Sequence, residues 1–232
     1  MVNAQLLEEI HKVVDKKQWK AARMALLDQE KALTRERERV TKSRAKLPWL
    51  KVDKEYVFFQ AGGGCASLSE LFQGRSQLIV YHFMFGSDWE EGCASCSFLA
   101  DGFDGIISHL KARDVSLAVV SAAHQDKLLA YKRKMDWQFP WYSCGDSTFN
   151  RDFDVIFDND GGIDWKEIPC ISVFYKGQDG AIYYTYGTFA RGLENLISTY
   201  DFLDLVPKGR DEEKLHEPME WVKRRHEYDY TT

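Results

Sequence analysis

Two stretches of the chain are almost free of polar residues: Gln77 to Phe85 (QLIVYHFMF) and Val115 to Ala122 (VSLAVVSA). Such runs predict strands buried on both faces of a mostly parallel sheet. Between them, Asp101 to Lys111 has helical spacing, with Phe98, Leu99, Phe103, Ile106, Ile107 and Leu110 as the apolar positions, and Gln125 to Met135 predicts a second helix. Two strands joined through a helix make a right-handed βαβ unit. Upstream, Val52 to Phe59 reads as a short strand, Gly62-Gly63-Gly64 as a turn, and Ser67 to Phe72 as a helical turn closed by Gly74. Downstream, Cys144 to Glu167 is polar and irregular, an extended loop with one helical turn that contains Asn159-Asp160-Gly161-Gly162. Ile171 to Tyr175 and Ala181 to Tyr186 form a hairpin around Lys176 to Gly180, and a final helix runs from Arg191 to Leu203.

The first 48 residues have a different character. Trp19, Leu26, Leu33, Val40 and Leu47 recur every seventh position, but Ala22, Gln29, Glu36 and Ser43 stand where the second row of a coiled-coil seam would be. A long helical arm is expected, laying one narrow apolar row on its own domain or on a second subunit as a homodimer contact. Pro48 ends it. The expected organisation is an arm over 1–48, one domain over 49–206 and a charged, surface-draped tail over 207–232.

Composition narrows the classes. The 232 residues are 44% hydrophobic, with fourteen Phe, eleven Tyr and seven Trp, enough for one real core. The longest apolar run, Leu78 to Phe85, is far shorter than the roughly 20 residues that span a bilayer. The N-terminus has no signal-peptide pattern, so a cytoplasmic location is expected, without a membrane partner. A net charge of −5 argues against nucleic acid as a partner, despite the basic stretch Lys31 to Lys46.

The chemistry starts at Gly92-Cys93-Ala94-Ser95-Cys96, a C-x-x-C just after a buried strand and at the start of a helix. That is the context of a redox dithiol: Cys93 attacks from the helix N-terminus and Cys96 resolves. Half a zinc site and two inert core thiols are the competing readings. The first lacks a second Cys or His pair, and Asp88, Glu90 and Glu91 favour the second by opposing a thiolate. Ile168-Pro169-Cys170 opens the later hairpin. His82 lies within the strand before the dithiol, with Met84 assigned to its face by alternation and Tyr81, Phe83 and Phe85 to the other. A core histidine is the plain reading; the sharper one makes Cys93, Cys96 and His82 ligands of copper or another transition metal. Trp89, Trp137, Phe139, Trp141 and Tyr142 are core residues or the wall of a pocket for a planar substrate.

The order strand, C-x-x-C, helix, strand, helix, insertion, Ile-Pro, hairpin, helix resembles the α/β thioredoxin-like fold, a central mixed β-sheet flanked by helices. In that fold a cis-proline loop faces the dithiol. By this resemblance Pro169 lines a substrate site beside Cys93, with Cys170 adjacent. The segments LFQGRSQLIVYHFMFGSDWEEGCASCSFLADGF, FPWYSCGDSTFNRDFDV and YGTFARGLENLISTYDFLDLVPKGR, together with LPW at the end of the arm and EWVKRRHEY near the terminus, resemble the DUF899 family of thioredoxin-like proteins over nearly the whole chain. The FPWYSCGDSTFNRDFDV segment is also similar to the peroxiredoxin arrangement. Gly92 stands where thioredoxins carry an aromatic residue, and Ala94-Ser95 where they carry Gly-Pro.

The resemblance and the motif together imply a thiol-disulfide oxidoreductase without a cofactor. It would act on a small-molecule or protein disulfide or a peroxide-like substrate and be reduced by a partner such as thioredoxin or glutathione. A small-molecule biosynthetic enzyme, a metal-dependent oxygenase or isomerase using Cys93, Cys96 and His82, is the alternative. A non-catalytic binding module using the arm is a third.

Overall fold

The computed structural model describes residues 11–155 and 167–229. The first element among the described residues, α1 (Lys16–Arg44), begins at a reciprocal capping box, the Asp15 carboxylate accepting from the Gln18 N–H at 2.8 Å while the Gln18 side chain accepts from the Asp15 N–H. No residue of α1 is buried, and Trp19 and Leu33 are 60% and 55% exposed. The arm therefore does not lay its apolar row on its own domain. Contact with the sheet comes at its last turn, where the Arg44 guanidinium stands 4.5 Å over the Tyr186 ring.

Among the described residues, eight strands form one sheet: β1 (Leu50–Val52), β2 (Val57–Gln60), β3 (Cys65–Ser67), β4 (Gln77–His82), β5 (Val115–Ser121), β6 (Trp141–Ser143), β7 (Cys170–Lys176) and β8 (Ile182–Phe189), in the order β1-β8-β7-β4-β5-β6-β2-β3. Helices α2 (Leu68–Leu71), α3 (Ala94–Ala100), α4 (Phe103–Lys111), α5 (Gln125–Lys134), α6 (Phe149–Asp152) and α7 (Ser198–Leu203) complete it, with a 3-10 turn over Ala190–Leu196. β4, β5 and β6 run parallel, whereas β7 lies antiparallel beside β4 and β8 antiparallel beside β7. A parallel pair joined through helices, with an antiparallel hairpin on the other side of its first strand, is the thioredoxin-like arrangement. The fold class read from the sequence is correct.

The expected strand Val52 to Phe59 is two strands, β1 at one edge of the sheet and β2 next to the other edge. Only four residues, 53–56, join them. Six strand spacings of about 4.8 Å would need roughly 29 Å in a flat sheet, and the link reaches at most about 18 Å. The sheet must therefore curl until its ends approach. Inside the curl sits a phenylalanine-rich core that includes Phe58, Phe72, Val80, Phe149 and Phe174; against the outer face, beneath α3, α4 and α5, sits a second core that includes Tyr81, Phe83, Leu99, Tyr131, Trp137 and Trp141.

Local differences from expectation have local causes. β4 stops at His82 rather than Phe85, because the chain leaves the sheet to form the loop that carries the dithiol. Asp101-Gly102 divides the first crossover into α3 and α4. The single final helix is a 3-10 turn and α7 broken at Ile197, whose backbone is extended (φ −93°, ψ 90°) and whose side chain is buried. Short β6 has no alternation of its own, since Trp141 to Ser143 are all buried; it is the strand that the peroxiredoxin resemblance of this segment implies after Phe139-Pro140. The expected loop 144–167 holds α6, while its Asn159-Asp160-Gly161-Gly162 lies outside the described residues.

The tail is not merely draped on the surface. Val222 is buried, and Met219 and Trp221 pack against the outer core. Glu212 ties the segment down, accepting from Tyr200 Oη at 2.7 Å, Trp221 Nε1 at 2.6 Å and the Met219 N–H at 3.2 Å. No helix among the described residues is long and apolar enough to cross a membrane.

Candidate active site

The loop after β4 is sewn back to the sheet. The Phe83 N–H donates to the Val120 carbonyl, and the Cys93 N–H donates to the Met84 carbonyl at 3.1 Å. This closure delivers Cys93 to the N-cap of α3, half-buried, with the Cys96 N–H donating to its sulfur at 3.4 Å. Cys96 is 1% exposed, with the Tyr81 hydroxyl and the Met84 N–H directed at its sulfur. All five cysteines are free thiols.

The two thiols differ in acidity. Cys93 is pushed below the ordinary thiol value, chiefly by the Cys96 thiol hydrogen-bonded to it, then by the backbone N–H groups of Cys96 and Ser95 and the charge of Arg224, against the opposing effect of burial. Cys96 is pushed well up, first by burial and then by sharing its proton with Cys93. Two of the three acidic residues upstream are paired with cations: Glu91 with Lys134 and with Arg224 at 3.3 Å, and Glu90 with Lys127 at 3.9 Å. Lys134 holds the Glu91 carboxyl below its usual range.

Gly92 explains the departure from the thioredoxin pattern. A Cβ there would stand 2.5 Å from the Phe83 ring and 3.0 Å from that of Tyr131, so an aromatic residue has no room. Phe83, from the strand side, fills that space.

Arg224, in the tail, was missed by the sequence reading because nothing local links it to residues 130 positions upstream. Its Nη2 donates to the Gly92 carbonyl at 2.8 Å, and its Nε donates to Tyr131 Oη at 3.0 Å. Tyr131 Oη lies 2.9 Å from Ser97 Oγ, which donates to the Cys93 carbonyl at 2.8 Å. The peptide carbonyls of Gly92 and Cys93 are thus both fixed. The tail supplies one of the two anchors directly.

The remaining candidates divide. Pro169 shares a cavity of about 360 Å³ with Cys96, Tyr81, Leu193, Ile197 and Met219. The Ile168–Pro169 bond is trans, unlike the cis-proline of the thioredoxin pattern. Cys170 does not join the dithiol. It pairs in register with His82, on the opposite face of the sheet from Tyr81 and Ile171, and burial raises its thiol to about 11.

His82 is also on that inner face. It stacks on Phe149 at 5.3 Å, with Nδ1 2.9 Å from Asn150 Oδ1 and Nε2 2.9 Å from Ser172 Oγ. Burial drives its pKa down to about 4, so the ring is neutral at pH 7. The supposed ligand set of Cys93, Cys96 and His82 is therefore split by the sheet, and Met84, beyond the strand end, packs on the outer core instead of sharing the His82 face. No cluster of three or more His, Cys, Asp or Glu side chains suited to a metal exists among the described residues.

Trp141 is a core residue with no exposed surface, its Nε1 donating to Ser121 Oγ at 3.0 Å, so it walls no pocket. Trp89 is 39% exposed on the loop ahead of the dithiol, its carbonyl accepting from Lys127 Nζ. Cys144 is buried, its thiol raised to about 12 by burial, and Cys65 is exposed on edge strand β3.

Fold and site together define a thioredoxin-like protein with a C-x-x-C pair at the head of its first crossover helix. The chain belongs to the DUF899 family, described as "Bacterial protein of unknown function", whose family model matches residues 8–228. No curated protein matches it. Similar solved structures include peroxiredoxin Q from Xanthomonas campestris, at 17% identity and TM-score 0.48 over 66% of this chain and 91% of that one. Peroxidoxin BcpB from Mycobacterium tuberculosis is similar at 13% identity and TM-score 0.49, over 66% of this chain and 95% of its own. A peroxiredoxin-like protein from Aquifex aeolicus matches at 15% identity and TM-score 0.42, over 62% and 78%.

Proposed function

We propose that this protein is a thiol-disulfide oxidoreductase in which Cys93 attacks and Cys96 resolves. The observation that carries this reading is the asymmetry of the pair. One thiol is acidified and reachable; its neighbour is buried, protonated and hydrogen-bonded to it.

With a disulfide substrate, the Cys93 thiolate attacks one sulfur, the substrate S–S bond breaks, and one thiolate leaves. Cys96 then gives its proton to a leaving thiolate and attacks the Cys93 sulfur, releasing the second thiol and forming the Cys93–Cys96 disulfide. Two electrons pass from the protein to the substrate. With a hydroperoxide, Cys93 takes the terminal oxygen as a sulfenic acid while the alcohol leaves, and Cys96 attack releases water. An external thiol, of the thioredoxin or glutathione kind, restores the dithiol in either case. Pro169 borders the substrate, beside Cys96. Trp89, on the loop leading to Cys93, is a candidate contact at the rim.

Cys96→Ser tests the reading. It should accumulate a mixed disulfide on Cys93, detected by intact-mass and peptide mass spectrometry, while Cys93→Ser accumulates none. In the wild type both thiols should oxidise together in redox buffers poised between about −120 and −270 mV, the range of thioredoxin-fold oxidoreductases. Two thiols that stay reduced throughout, with no adduct in the Cys96→Ser protein, would sink the proposal.

A further inference from the structure

We infer that the cavity beside Cys96 binds the uncharged, apolar body of a small organic substrate, and that the tail roofing it excludes a polypeptide disulfide. This rests on the dithiol reading and adds a substrate class to it.

Three observations carry the inference. The first is position: Cys96, Tyr81 and Pro169 form one wall, so an occupant lies against the buried thiol of the pair. The second is chemistry. Apart from that wall and the hydroxyl-bearing Ser95 beside it, the lining is apolar, Leu99, Ala190, Leu193, Ile197, Pro218 and Met219, and the two charged residues at its edge, Arg191 and Glu194, pair with each other at 2.9 Å. Glu194 is paired a second time, with Arg210 at 3.1 Å. No unmatched charge among the lining residues invites an ionic ligand. At about 360 Å³ the space lies at the small end of the roughly 300–1,000 Å³ range of small-molecule sites.

The third observation is the roof. Pro218 and Met219 come from the tail, which is held at both ends. On one side Glu212 gathers Tyr200, Met219 and Trp221, and the Trp221 ring meets Phe98 of α3 edge-on at 5.6 Å. On the other, Arg224 grips the Gly92 carbonyl. A protein substrate would have to lift this segment off the face beside Cys96. A small molecule leaves it in place.

The experiment uses the full-length protein labelled with [methyl-¹³C]methionine. Titration of unreactive 3-phenylpropanol should shift the Met219 methyl resonance in a saturable way, identified by its loss in Met219→Trp. Turnover is measured in parallel with 2,2′-dipyridyl disulfide, with oxidised glutathione as the charged comparison and with insulin as the polypeptide. Filling the cavity in Met219→Trp should lower the dipyridyl-to-glutathione ratio of kcat/KM by about tenfold or more, the scale on which apolar pockets discriminate. Met219→Ala, which opens the roof without overpacking, should keep that preference and begin to admit insulin.

If the wild type cycles but the methyl resonance does not move and Met219→Trp leaves the ratio unchanged, the cavity assignment fails and the dithiol reading stands. Wild-type reduction of insulin as fast as of dipyridyl disulfide also overturns the assignment. A saturable methyl shift without turnover of any disulfide supports the cavity and defeats the disulfide branch of the dithiol reading.

Discussion

Replacing Gly92 with alanine would put a methyl carbon 2.5 Å from Cε1 and 2.8 Å from Cζ of Phe83, and 3.0 Å from Cε1 of Tyr131. Carbon atoms attract best at about 3.5–4.0 Å, so relief requires a displacement of roughly 1 Å. Phe83 has nowhere to go. It is 1% exposed, and its ring is wedged against Trp141, Trp137 and Tyr81 at centroid distances of 4.8, 6.0 and 6.1 Å. The dithiol loop must yield instead, straining the Cys93 N–H to Met84 carbonyl bond and the Arg224 grip on Gly92. Overpacking of this kind costs about 1–3 kcal/mol. For a domain of this size each kcal/mol lowers Tm by about 2–4 °C, so a fall of roughly 2–12 °C is expected.

Thermal unfolding followed by circular dichroism measures it, and a double-mutant cycle assigns it. In a Phe83→Leu background the alanine has room, so its added cost should fall, with a coupling of at least about 0.5 kcal/mol between the two sites. A Gly92→Ala protein melting within about 1 °C of the wild type would refute the packing argument, and so would strictly additive effects.

The other predictions concern charge. His82 titrates near 4 when folded against 6.5 ordinarily, so between those values the unfolded chain binds a proton that the native ring refuses. Its contribution is complete above pH 6.5 and is lost as the pH falls toward 4, by about 3 kcal/mol in all. Urea midpoints measured from pH 7.5 to 4.5 should decline accordingly, and His82→Gln should flatten the slope; an unchanged slope would refute the assignment. Arg224→Ala removes a cation that favours the Cys93 thiolate, so the pH profile of Cys93 alkylation should move to higher pH, with Arg224→Lys restoring part of the shift. Loss of its half-buried charged hydrogen bonds should also cost about 1.5–3 kcal/mol in urea unfolding. An alkylation profile identical to the wild type would show that the arginine only braces the tail.

Much was legible from local pattern. The apolar runs at Gln77 and Val115 predicted β4 and β5, because a strand buried on both faces has no polar period to lose, and the C-x-x-C between them announced where a dithiol would stand. Alternation alone separated His82 from Tyr81 and set the first toward one core and the second toward the other. It failed at Met84, just past the strand's irregular end, because period two holds only while the ladder does.

Residues that meet through closure of the chain were not legible. Nothing near Arg224 marks it as a partner of Gly92, and nothing in Met219 distinguishes it from other surface-tail residues. Hydrophobic spacing reports which face a residue presents, whereas contact between segments more than a hundred residues apart depends on how the sheet curls and where the tail is stapled. The sequence by itself determined the thioredoxin-like order of elements and the position of the dithiol within it. The tertiary structure decided that His82 and Cys170 lie across the sheet from that dithiol, that Trp141 is core, and that the tail completes the site, because those outcomes depend on side-chain volume and long-range packing rather than on local period.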